Sequence, residues 1–175
     1  MKQGCARALT PVRTILLILS LLCSFAQAEV LDQSAPIGIV GFNGDLSILD
    51  WQQEVVAGIP GVLSRFQLYV NGPGSVMLYV NRGAPWQGDA HDFQTTVSLG
   101  TGWQSIDTSA AGISLAAGER FVIGLKGVDG GLGFNGGDGT YAAGTLFLNG
   151  VPYVASSYDI AFRTYMNPSS AATLT

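Results

Sequence analysis

One stretch constrains this chain more than any other: Ser64 to Asn81, SRFQLYVNGPGSVMLYVN. Two runs of apolar, β-branched and aromatic residues flank Asn71-Gly72-Pro73-Gly74. Glycine supplies positive φ, and proline fixes φ and cannot donate to a ladder, so the pattern predicts a β-hairpin. The arms repeat each other as Leu68-Tyr69-Val70-Asn71 and Leu78-Tyr79-Val80-Asn81. Strand periodicity puts Phe66, Leu68 and Val70 on one face and Tyr69 on the other. In the second arm Val76, Leu78 and Val80 share a face, with Tyr79 opposite. An exposed tyrosine face makes Tyr69 and Tyr79 a cross-strand pair able to hold a ligand, whereas a packed face makes them structural. The Leu/Val face needs a second layer over it.

The start of the chain reads differently. Lys2, Arg7 and Arg13 precede an apolar run from Ile15 to Leu22, and Ala26-Gln27-Ala28 has the small-residue form of a cleavage site. This predicts a secretory signal peptide over 1–28, too short in its apolar part for the ~20 residues of a membrane span. Both cysteines, Cys5 and Cys23, fall inside it, so the mature chain has no disulfide. Without Lys2, Arg7 and Arg13, five basic residues face twelve acidic ones, a net charge of −7. That balance argues against nucleic acid and anionic membrane surfaces as partners.

No stretch carries helical periodicity of useful length. About ten short strands are separated by turns, the pattern of a sandwich or barrel. Phe93 to Leu99 alternates as a half-buried strand. Arg120 to Lys126 is nearly continuously apolar, as a central strand covered on both sides, or one bent at Gly124, would be. Asn149-Gly150 marks a tight hairpin. Gly127 to Gly139 reads as a loose loop, and Tyr158 to Tyr165 as one closing strand. The expected architecture is all-β: an antiparallel two-sheet jelly-roll sandwich over 29–166, followed by a flexible tail over 167–175.

Signals for catalysis are weak. There is no G-x-S-x-G elbow; the nearest stretch, Gly112 to Ala116, lacks its second glycine. His91 is the single histidine, so a multi-histidine zinc site is excluded, and a hydrolase would have to assemble Asp89, His91 and Asp92 in one cleft. The plainer reading leaves His91 on a solvated loop. The glycine-rich loop lacks the Lys-Ser/Thr of a phosphate cradle. Structural calcium is the metal candidate, through Asp89 and Asp92 in one loop and Asp129 and Asp138 in the other. Solvated turns are the alternative for both loops. Trp86, in the polar loop beside Pro85 and Gln87, is the best ligand-binding aromatic. With Tyr69, Tyr79, Asp89 and His91 it makes the candidate binding set. Trp51 and Trp103 lie in strand-like segments and are expected in the core.

Several segments together resemble a known bacterial module. They are Trp51-Gln52-Gln53, the apolar arms from Phe66 to Val80, Gly102-Trp103, Ala117 to Leu125 (AGERFVIGL) and Tyr158 to Tyr165 (YDIAFRTY). The pattern resembles the jelly-roll domain found ahead of PEP-CTERM sorting signals, over roughly 31–165. The resemblance implies an exported protein of the envelope or matrix. No Pro-Glu-Pro, apolar helix or basic tail follows Tyr165, which favours secreted or periplasmic residence over covalent sorting. The expected function is non-catalytic binding of a carbohydrate or matrix component, the partner being a polysaccharide. The alternative is a structural module that meets an envelope protein.

Overall fold

Pro73 divides the molecule. The computed structural model describes residues 28–43, 49–83, 85, 88, 90–127, 132–153 and 158–169. The 1–28 leader and the candidates Trp86, Asp89 and Asp129 lie outside the described residues, apart from Ala28. The strands before Pro73 are β1 (Val30–Ala35), β2 (Val40–Asn43), β3 (Asp50–Val56) and β4 (Gly61–Gly72). After it come β5 (Gly74–Arg82), β6 (Phe93–Leu99), β7 (Gly102–Asp107), β8 (Ser114–Leu115) and β9 (Arg120–Gly127). The rest are β10 (Gly133–Asp138), β11 (Leu146–Leu148), β12 (Val151–Pro152), β13 (Tyr158–Ile160) and β14 (Phe162–Pro168).

The expected hairpin is absent. β4 and β5 do not pair; they lie in different sheets. β4 is the spine of the first sheet, pairing with β14, β10, β7 and β8, all antiparallel. β5 sits in the second sheet between β6 and β9, in the order β12-β11-β3-β9-β5-β6. The chain packs closely at the crossing: a Cβ on Gly74 would sit 2.9 Å from the Leu132 backbone nitrogen. Pro73 offers no ladder donor, and the chain passes over the core edge from one sheet to the other. The alternation itself holds. Phe66, Leu68, Val70, Val76, Leu78 and Val80 are all buried, now facing each other through the core. Burying each such side chain contributes ~1.5–3 kcal/mol before the entropy of ordering it.

The core is one cluster between the sheets. Trp51 from the second sheet packs edge-on against Phe134 of β10 and Phe42 of β2 (centroids 5.9 and 5.2 Å). A polar tie runs through it. Gln53 Nε2 donates to Asp159 Oδ1 (3.1 Å), and the Ile160 amide donates to Gln53 Oε1 (2.9 Å). Asp159 also accepts from the Tyr141 amide (2.7 Å), and its burial raises its pKa above the ordinary carboxylate value.

Three other expectations change. Much of the glycine-rich segment is β10, an inner strand paired with β2, β4 and β13 rather than a loose loop. A Cβ at Gly136 would lie 2.1 Å from the Asp159 carbonyl oxygen, so the glycines permit close backbone packing. The closing segment is two strands, since Ala161 breaks the ladder and lets β13 pair with β10 while β14 pairs with β4 and β1. β14 continues through Pro168. The Asn149-Gly150 turn (φ 52° and 75°) joins β11 to β12 as expected, and β9 is central and covered.

Candidate functional site

Each sheet has an outer face, and the two are built differently. On the second sheet, Tyr79 points outward yet is fully buried. Its cross-strand neighbour on β9 is Gly124, where a Cβ would fall 1.9 Å from Tyr79 Cζ. The missing side chain is the ring's berth. His91 stacks on the ring (centroids 4.1 Å, planes 24° apart), and the Tyr79 hydroxyl donates to Asp50 Oδ1 (2.7 Å). Asn81 lies 2.9 Å from His91 Nδ1 through its amide nitrogen, and its oxygen accepts from the Asp92 amide (3.0 Å). Asp92 takes two bonds from Arg82, from the backbone amide (2.8 Å) and from Nη2 (2.9 Å).

The electrostatics follow from the packing. Burial raises the Asp50 pKa, against the pull of the Tyr79 hydroxyl. Burial, then the adjoining Asp50 carboxylate, pushes the Tyr79 phenol far above its ordinary range. Arg82 holds Asp92 below the ordinary carboxylate value. Tyr79 is therefore a neutral hydrogen-bond donor at physiological pH. His91 is not a solvated loop residue; it closes a packed polar cluster.

On the first sheet the outer face is open. β4 sends Arg65, Gln67 and Tyr69 outward, all half-buried, and β14 sends Arg163 and Tyr165. β7 adds Trp103 opposite Tyr69 and Ser105 opposite Gln67. Tyr69 and Trp103 meet edge to face (5.6 Å, 77°). The Arg163 guanidinium lies over the Trp103 ring at 4.1 Å, and that of Arg65 over Tyr165 at 3.5 Å. Gln67 Oε1 accepts from the Tyr165 hydroxyl (3.1 Å) and, at 3.5 Å, from Arg163 Nη1. Beside this row lies a recess of ≈ 250 Å³ lined by Ser34, Ala35, Pro36, Ile37, Trp103 and Arg163.

The predicted site residues are thus scattered. Tyr69 and Tyr79 are not a cross-strand pair; they occupy outer faces of different sheets. Tyr79 and His91 belong to the packed cluster. Trp103, expected in the core, is half-buried on the open face, because Gly102-Trp103 pairs outward-facing Tyr69 on β4. Asp92 is engaged with Arg82, and Asp138 is exposed at the end of β10. Among the described residues no three acidic, histidine or cysteine side chains converge as a metal site, and the calcium candidates Asp89 and Asp129 lie outside them. Sequence reading missed Trp103, Arg163 and Gln67. The alternation of YDIAFRTY does place Arg163 opposite Phe162 and Thr164, which was the available signal.

Compared with known proteins, the chain matches no family model, no curated protein and no solved structure.

Proposed function

We propose that the chain is a non-catalytic binding module that holds a carbohydrate on the outer face of the first sheet. The observation that carries this reading is the Tyr69–Trp103 pair, held edge to face on an open sheet surface and flanked on the same face by Gln67, Ser105 and Arg163. Aromatic rings offer flat apolar surface to sugar C–H groups, and fixed polar side chains select among hydroxyls. The strands hold these groups in place before the ligand arrives, which lowers the ordering cost of binding. The recess is smaller than the ~300–1,000 Å³ of drug-sized sites, a scale that suits one sugar ring rather than a long chain.

Export supports the reading. The leader pattern over 1–28 directs the protein across a membrane, where polysaccharide is an accessible partner. The resemblance to the PEP-CTERM-type jelly-roll module, a module of exported proteins, points the same way. No helix among the described residues is long and apolar enough to cross a membrane. Polysaccharide pull-down and a glycan array test the proposal. Binding should be lost in Tyr69→Ala and Trp103→Ala. An absence of binding to any glycan overturns the function, and binding untouched by both substitutions overturns the site.

One observation favours the second reading, a structural module meeting an envelope protein. Ile37 and Ile39 are 47% and 102% exposed between β1 and β2, and Val30 and Leu31 are exposed on β1, which ends its sheet. Co-purification of a stable protein partner through Ile39, lost in Ile39→Ser, would favour it.

A further inference from the structure

We infer that the sugar taken by the recess is anionic, a uronic acid whose carboxylate meets Arg163; this rests on the carbohydrate reading above. The first observation is a difference in pairing. Arg65, Arg82 and Arg120 each have a carboxylate within hydrogen-bonding distance: Glu29 at 2.7 Å, Asp92 at 2.9 Å and Glu54 at 2.8 Å. Arg163 has none among the described residues. Its contacts are the Trp103 ring and one long bond, 3.5 Å, to Gln67. A guanidinium carries five donors in a planar fork, so most of this fork has no strong acceptor. In a mature chain of net charge −7, an arginine without an acid marks a place where negative charge is to come from outside.

The second observation is the lining. Among the described residues Arg163 is the single charged one lining the recess, and none of them brings a carboxylate to it. Ala35, Pro36, Ile37 and the Trp103 indole give an apolar wall, and Ser34 adds a hydroxyl beside Arg163, its register partner on β1. The Trp103 ring also orients the guanidinium by stacking beneath it, which leaves the fork's edge for a ligand. A planar carboxylate matches that edge with two parallel bonds. A sugar ring bearing that carboxylate sets its C–H face on the apolar wall. The surrounding negative charge disfavours a dense polyanion at longer range. The favoured ligand is therefore a uronic acid residue carried on a mostly neutral chain.

Three matched probes test this: glucuronoxylan, the same polymer after carboxyl reduction, and dextran sulfate as a dense sulfated anion. Wild-type protein should bind glucuronoxylan at least ~10-fold more tightly than its reduced form, since a charge-assisted bidentate contact is worth ~1.5–3 kcal/mol and ~1.4 kcal/mol is tenfold. Arg163→Gln should abolish that preference and leave weak, Trp103-dependent binding to both polymers. Arg163→Lys should keep part of the preference. Unchanged unfolding midpoints for both variants show that the sheet is intact. Equal binding of the native and reduced polymers, still lost in Trp103→Ala, overturns the anionic inference and leaves the carbohydrate reading standing. Absence of binding to all three, and to every member of a glycan array, overturns the reading beneath it. Preference for dextran sulfate over glucuronoxylan overturns the choice of carboxylate.

Discussion

The same four residues, Leu-Tyr-Val-Asn, occur at 68–71 and at 78–81, and the fold puts them to opposite uses. In both copies leucine and valine enter the core and tyrosine points outward. Tyr69 faces Trp103 on an open sheet; Tyr79 faces Gly124 and is fully buried beneath His91. The strand sequence decides which way a side chain points. What stands beside it on the neighbouring strand decides whether it reaches solvent. One tyrosine stays partly exposed because its neighbours stand around it rather than over it. The other stabilises the protein because a glycine makes room and an aspartate accepts the hydrogen bond of its hydroxyl.

The comparison breaks most sharply at Gly124. A Cβ there overlaps the Tyr79 ring, so Gly124→Ala should lose about 3 kcal/mol in denaturant unfolding, the upper range for overpacking. In a Tyr79→Ala background the same change should cost under about 1 kcal/mol, because the two residues are coupled. Equal costs in the two backgrounds would show that the ring does not need the glycine.

Tyr79→Phe is the next largest. It removes the hydroxyl donor from half-buried Asp50, which keeps the bond from Gln52, at about 1 kcal/mol or somewhat more. The sign of its pH dependence follows from the linkage. The hydroxyl stabilises ionised Asp50, whose pKa burial already holds above 3.8. The penalty should be full at neutral pH and shrink as the pH falls through the Asp50 pKa. A pH-independent penalty would place the effect in packing instead.

Tyr69→Ala should behave in the opposite way. Half-buried on an open face, it should cost about 1 kcal/mol of stability or less, while glycan affinity falls at least tenfold. A stability loss as large as that of Tyr79→Phe would erase the distinction between the two copies.

Arg82→Gln should be the smallest. Arg82 is exposed and keeps Asp92 ionised below its ordinary pKa. That contribution is present above pH 3.8 and is lost as the pH falls through the depressed value. The substitution should flatten only the acid limb of the stability curve, read by urea unfolding at stepped pH.

Much of this was legible in the chain, residue by residue. Period-two alternation identified the buried sets on both arms, and the Asn149-Gly150 turn and the covered β9 strand followed from local chemistry. Pairing was not legible, because a turn cluster reads alike whether the arms join side by side or diverge into two sheets. The partners that take β4 and β5 into separate sheets, among them β14 and β9, lie far along the chain, and no local pattern encodes them. The glycines of β10 were misread for a related reason: glycine signals a turn locally but close backbone approach in a sheet. Tyr69 stood out in the sequence, but its partners on that face did not, because Trp103 and Arg163 come from other strands, β7 and β14, and only the sheet brings them together.

On the proposed reading, one outer face binds and the other holds the fold. Glycan-panel affinity and urea unfolding, measured side by side on Trp103→Ala and Tyr79→Phe, test it directly. Trp103→Ala should lose binding and keep stability within about 1 kcal/mol, and Tyr79→Phe should keep binding and lose stability. The reverse pattern, with binding lost on Tyr79→Phe and retained on Trp103→Ala, would contradict the claim.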